Sequence, residues 1–249
     1  MMIWISLSLA QPSKDWFNSH PLYNMEVSST LMNSHSMEFS QSIGSELRAD
    51  LIDRLTQSES KIKDRCTEHY NFISFEHLER PDQTPEDLLF LNNLFGIEQL
   101  HCIENTSIES VLASYRSAEF RKQAMPGVVG FSSELVRLNE KGDDFIQSCT
   151  QTKSGFGVLA TSYCMLEREH KINSTIWIHS VLRSTETKPS YQQLLFREEA
   201  LFVKTYNSGV ALYRYTITRG QDLGKTGKYF LEKTLFYTHG SIKEALQTE

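Results

Sequence analysis

An α+β fold is predicted, with an N-terminal helical part packed on one face of a C-terminal, mostly antiparallel sheet of about five strands. Three observations lead there. First, Gln192–Tyr237 reads as a meander: Leu195, Leu201 and Val203 alternate with Glu198, Ala200 and Phe202. A turn at Tyr206-Asn207-Ser208-Gly209 follows, Val210–Thr218 is β-branched and aromatic, and Lys228–Tyr237 alternates again. Period two between Asn/Ser/Gly turns is the pattern of strands with one buried face. Second, Leu47, Leu51, Ile52 and Leu55 recur at helical spacing within Ser45–Ser60. Third, the helical periods concentrate in 45–150 and the alternating ones in 156–238.

Taken in order, residues 1–42 form a loosely structured arm. Met1–Ala10 is apolar but lacks the basic residue that precedes a secretory h-region, and 11–42 is rich in Ser, Asn, Met and His. Residues 43–249 make a single α+β domain, helix-rich over 45–150 and strand-rich over 156–238. Tyr70–Leu78 alternates as a strand. Thr84 caps a helix over Pro85–Phe95, with Pro85 at its first position and Gly96 ending it. Ile97–Ile103 is a short apolar segment compatible with a strand. Thr106 or Ser107 opens a helix carrying Ile108, Val111, Leu112, Tyr115 and Phe120, broken at Met125-Pro126-Gly127. Phe131–Ile146 is read as a further helix through Leu135, Leu138 and Ile146, although Gly142 costs it about 1 kcal/mol. Phe156–Leu166 and Thr175–Arg183 are paired strands across a polar connection.

Composition bounds the function. An apolar content of 39% supports a core, and no stretch reaches the roughly 18 apolar residues that span a bilayer, so no membrane partner is expected. A net charge of −6 without a Lys/Arg run argues against nucleic acid. The four cysteines, Cys66, Cys102, Cys149 and Cys164, contain no Cys-x-x-Cys. They read as reduced thiols of a cytoplasmic protein.

Each motif has an ordinary alternative. Gly224-Lys225-Thr226 resembles a phosphate-loop ending, but Arg219 stands where the first glycine belongs, and a strand rather than a helix follows. Cys66, His69, His77, His101 and Cys102 lack the second tight pair of a zinc site, so no metal and no cofactor are expected. No G-x-S-x-G singles out a nucleophile. The better constellation is on the strands: His179, Arg197 and Arg214, the arginines presenting planar forks suited to carboxylates. Glu198, Glu199 and Glu232 are available to neutralise them in exposed pairs.

Phe196–Leu201, the Val210–Thr218 strand and Leu223-Gly224-Lys225-Thr226 together resemble the arginine-bearing strand, its partner and the following loop of chorismate lyases. The resemblance implies an antiparallel sheet and places Arg197 on a carboxylate-binding arginine. It departs at the family's catalytic glutamate, where Thr234 stands and Glu232 is two residues away. The reading adopted is a sensory or regulatory module, PAS-like or GAF-like in general shape, binding a small molecule that is anionic if an arginine faces it. The alternatives are a lyase acting on an aromatic-ring carboxylate and a non-catalytic protein using its edge strands for interaction. Oligomeric state is not legible.

Overall fold

The β-branched and aromatic runs of this chain build more sheet than their alternation announces. The structure is a computed structural model describing residues 12–20, 34–62, 65–75, 78, 88, 91–125, 127–138, 144–153, 160–186, 194, 196–207, 209–219, 233 and 239–246, with side chains of the long second helix placed from 45 onward. Eight strands form one antiparallel sheet in the order β1-β2-β8-β7-β6-β5-β4-β3. They are β1 (His69–Ser74), β2 (Leu94–Glu104), β3 (Val128–Arg137), β4 (Asp144–Thr152), β5 (Ser162–Ile172), β6 (Thr175–Thr185), β7 (Phe196–Tyr206) and β8 (Gly209–Arg219). The helices are α1 (Lys14–Asn18), α2 (Ser34–Lys61), α3 (Ile108–Tyr115) and α4 (Ala118–Ala124), and residues 239–246 are also helical.

Two short turns set the central register. Tyr206 pairs with Gly209, so β7 and β8 are tied from their first rung. Ile172 pairs with Thr175, and the turn between them uses Asn173 at φ +53°, a left-handed conformation that asparagine tolerates better than most residues. Close approach explains two glycines. A Cβ on Gly209 would stand 2.2 Å from the Ile103 carbonyl oxygen, and one on Gly96 would stand 3.0 Å from the Tyr215 hydroxyl.

Alternation then commits each side chain to one of two faces. On one, Ala200, Phe202, Ala211, Tyr213, Tyr215, Ile217 and Trp177 pack against Leu47, Leu51, Ile52 and Leu55 of α2, with Phe17 of α1 beside them. The paired Phe202 and Tyr213 rings stack at 5.1 Å. The Tyr213 and Tyr215 hydroxyls donate to Glu98 and Asp50, at 2.8 and 2.7 Å. On the other face, Ile176, Ile178, Leu201, Val203, Val210 and Leu212 pack against Ile108, Val111, Leu112 and Tyr115 of α3, Phe120 of α4, and Ile242 and Leu246. Ser107 and Ser117 cap α3 and α4 by accepting from the amides of Ser110 and Phe120.

Helical cover on both faces of eight strands corrects the expected single helical layer on five. Four strands, β1 to β4, lie before residue 153, so 45–150 is not mainly helical. The expected helix over Phe131–Ile146 is instead the β3–β4 hairpin, Glu134 facing Gln147 and Leu135 facing Ile146. Its leucines suggested a helical stripe, yet Leu135 is 65% exposed and belongs to no core. Gly96 lies inside β2 rather than ending a helix, and Pro85–Glu86-Asp87 lie outside the described residues. Within the segment expected to be a loose arm, α1 is capped by Ser13 and buries Phe17, and α2 begins at Ser34. Of Lys228–Tyr237, Lys233 alone is among the described residues, and its backbone is helical.

The expected reduced thiols are also corrected. Cys66 is bonded to Cys102 and Cys149 to Cys164, with Cα separations of 5.8 and 4.0 Å. The second pairing is hidden from a reading that makes Phe131–Ile146 a helix and assigns no strand to Cys149: once β4 and β5 form a hairpin, the two cysteines are direct partners.

Gly209→Ala should destabilise the protein by about 1–3 kcal/mol, since the new methyl meets backbone that cannot move aside. Urea unfolding monitored by tryptophan fluorescence measures this, and an unchanged midpoint would contradict the assigned β2–β8 contact.

Candidate functional site

Arg197 and Glu199 share a face of β7 because they are two residues apart, and Arg214, Thr216 and Thr218 share the matching face of β8. Burial there forces the charges together. The Glu199 carboxylate accepts from Arg214 Nη2 at 2.7 Å, Thr216 Oγ1 at 3.0 Å and, through its other oxygen, Tyr115 Oη at 2.8 Å. Arg197 Nη2 lies 3.5 Å from the same carboxylate, and its Nη1 donates to Thr218 Oγ1 at 3.2 Å. The Arg197 guanidinium also sits 5.0 Å from the centre of the Tyr163 ring, within cation–π range. Burial opposes charge on Glu199, but Arg214 and Arg197 outweigh it and hold the carboxyl well below its usual range. Burial likewise opposes charge on Arg214, and Glu199 more than offsets it, raising the guanidinium pKa.

This network borders a cavity of about 20 Å³, lined by Arg121, Phe131, Ser148, Thr150, Tyr163, Met165, Glu167, Ser180, Arg197, Glu199 and Arg214. That is room for a water or a small polar group, not for a chain-bearing lipid. The lining spans β3 to β8. In a flat sheet β3 and β7 would stand about 19 Å apart, so the sheet curls around the cavity. Arg121 closes it from α4: its Nε donates to the Tyr115 carbonyl at 2.9 Å, and its guanidinium lies 4.0 Å from the Tyr115 ring centre and 5.0 Å from that of Phe131. Three guanidiniums face two carboxylates, leaving one positive charge in excess. Glu167 is moreover already bound by Arg116, whose Nε donates at 3.0 Å.

The structure brings Arg197 and Arg214 together and sends His179 elsewhere. His179 pairs with Ala200, so it faces α1 and α2 on the opposite side of the sheet. There its Nε2 bonds Glu198 at 2.8 Å, both side chains fully buried, with Arg48 Nε 3.8 Å from the same carboxylate. His20 stands edge-on to it at 5.1 Å, its Nε2 bonded to the Leu166 carbonyl. Sequence reasoning missed Glu199 as a cavity residue by treating it, like Glu198, as an exposed counterion of the arginines; strict alternation from Arg197 identifies it. Arg121 and Phe131 left no local signal. Glu232, Thr234 and Gly224-Lys225-Thr226 lie outside the described residues. The cysteines once weighed as zinc ligands are in disulfides, and no group of three or more His, Cys, Asp or Glu able to hold a metal occurs among the described residues.

An antiparallel sheet with α2 on one face and a charged cavity under α3–α4 on the other defines a cavity-bearing α+β class. The fold is similar to human StAR-related lipid transfer protein 5, at a TM-score of 0.52 and 14% identity, covering 83% of this chain and 97% of that one. It is also similar to human STARD10, at a TM-score of 0.51 and 11% identity, covering 78% of this chain and 77% of that one. No protein-family model matches the sequence, and no curated protein matches it. Likeness at such identity is a likeness of fold.

Glu199→Ala strands Arg214 as an uncompensated buried charge and should cost about 3–5 kcal/mol, read from denaturant unfolding. A second outcome concerns pH. Burial, then His179 and Arg168, lower the His20 pKa from 6.5 to about 2. The unfolded chain therefore takes up a proton below pH 6.5 that the native chain refuses. Stability from this group is complete above that pH and falls below it by up to about 1.4 kcal/mol per pH unit. His20→Gln should flatten the slope between about pH 6.5 and 5; an unchanged slope would remove His20 from the linkage.

Proposed function

We propose that the protein is a small-molecule binding module, sensory or regulatory in type, whose cavity under α3 and α4 takes an anionic group on Arg197 and Arg121. The observation that carries this reading is the excess guanidinium lining a small cavity. Arg214 is committed to Glu199, whereas Arg197 lies over Tyr163 and holds Glu199 only at 3.5 Å and Thr218 Oγ1 at 3.2 Å, long contacts that an incoming oxyanion can replace. Arg214 sets the position of the network rather than capturing the ligand. The likeness of fold to StAR-related lipid transfer protein 5 supports ligand binding in general terms. The volume favours a small polar group over a whole lipid.

A lyase reading finds less support. The acid nearest Arg197 is Glu199 on the same strand, ion-paired with it rather than standing across the cavity. No helix among the described residues is long and apolar enough to cross a membrane. The cytoplasmic expectation rested on reduced thiols; two disulfides favour an oxidising compartment instead.

Thermal-shift titration with benzoate, decanoate and inorganic phosphate tests the proposal. At least one should stabilise the wild type, and Arg197→Ala should weaken it by about 2–5 kcal/mol. Arg197→Lys should restore only part, because an ammonium cannot reproduce the bidentate fork. Equal stabilisation of wild type and Arg197→Ala would take Arg197 out of the site.

A further inference from the structure

We infer that the Cys149–Cys164 disulfide is a redox-sensitive pin that sets the register of the cavity wall, so that its reduction lets the β3–β4 edge slip against β5 and weakens binding in the cavity. The second half of this statement rests on the proposed function; the first does not.

Cys149 and Cys164 are direct partners in the β4–β5 ladder. Alternation puts their neighbours Ser148, Thr150, Tyr163 and Met165 on the other face, and all four line the cavity. The bond thus stands directly behind the wall. On the far side of β5 the ladder is irregular at the same step: Cys164 pairs with Ser184 but Met165 with Leu182, leaving Arg183 as an extra residue on β6.

Little else holds this register. A strand keeps its register when one face is apolar and buried, because a one-residue slip would turn that face to solvent. β4 reads DFIQSCTQT, with polar residues on both sides, and its partner β3 is an edge strand whose Leu135 is exposed. A one-residue slip would exchange Ser148 and Thr150 at the wall for Gln147, Cys149 or Gln151, opposed in apolar burial chiefly by Phe145 at the start of the strand. Beside the buried Phe145, the remaining ties are polar: the Thr152–Thr161 hydroxyl pair at 2.8 Å, Gln147 to Glu134 at 3.0 Å, Arg137 to Asp144 at 2.9 Å, and Arg183 to Gln147. Cys66–Cys102 is a contrast, since Cys102 lies on β2, whose register is already held by burial on both faces.

Both cysteines are half-buried, so the proposed exchange is with a small dithiol. One thiolate of the dithiol attacks one sulfur and the other leaves as a thiolate; the second thiol then resolves the mixed disulfide. Two cysteine thiols and an oxidised dithiol result, a balanced two-electron exchange.

The test uses wild type before and after dithiothreitol and after reoxidation, the double variant Cys149→Ser/Cys164→Ser, and Cys66→Ser/Cys102→Ser for comparison. Amide hydrogen exchange and the 13C-methyl signal of Met165 are read in each. Breaking Cys149–Cys164 should speed exchange in 144–152 by about tenfold, split the Met165 signal in two, and leave 196–219 protected; reoxidation should reverse this, and Cys66→Ser/Cys102→Ser should not produce it. Benzoate or phosphate binding, where the oxidised wild type shows it, should fall by about tenfold with the bond. A single unchanged Met165 signal with unchanged β4 protection overturns the inference, as does loss of protection throughout the sheet, which would make the bond a staple of the whole fold. Absence of binding in the oxidised wild type counts against the proposed function alone, and the exchange data still decide the pin.

Discussion

β7 and β8 are buried on both faces along most of their length, and that constraint orders the rest of the molecule. A strand with one wet face can send its charged residues outward. These two cannot, so each charged side chain has to find its counterion on whichever face alternation assigns it. Glu199 faces α3 and meets Arg214, Arg197 and Tyr115; Glu198, one residue earlier, faces α2 and meets His179 and Arg48. The sheet therefore carries two separate buried polar networks back to back, each locating the helix above it. α3 is tied through the Tyr115 hydroxyl, and α2 through Arg48 and through Asp50, which accepts from Tyr215.

The same constraint relaxes toward β3. From β8 outward to β4 the strands become more polar, and the covering helices give way to solvent-facing side chains such as Leu135. There a disulfide joins the little apolar burial that remains, Phe145, in tying neighbouring strands. The cavity lies between these regimes, with one wall made of the central, charge-locked strands and the other of the polar edge. Its chemistry comes from the first wall and its shape from the second.

Fold and site point to different levels of function. The arrangement of sheet and helices is that of the StAR-related lipid transfer proteins to which the chain is similar, and it is compatible with many ligands. The cavity of this chain is small, edged by aromatic rings, and lined by one more guanidinium than carboxylate.

How much was legible follows from how local each signal is. The β7–β8 hairpin, the helix over Ser45–Ser60 and the Ser107 cap could be read because period, turn and cap are properties of a few consecutive residues. Arg197 and Arg214 could be named as a pair for the same reason, standing on adjacent strands joined by a short turn. Phe131–Ile146 could not, because three leucine and isoleucine positions fit a helical period as well as a hairpin whose polar residues carry no preference of their own. With that hairpin went the Cys149–Cys164 bond and the polar wall of the cavity. The separation of His179 from the arginines, and the arrival of Arg121 from α4, depend on which face each strand turns to which helix. The chain by itself determined where backbone alternates, turns and caps, since those energies are paid within a few residues; the tertiary structure decided which charges meet, because burial on both faces leaves a charged group no partner except the one the opposing element brings.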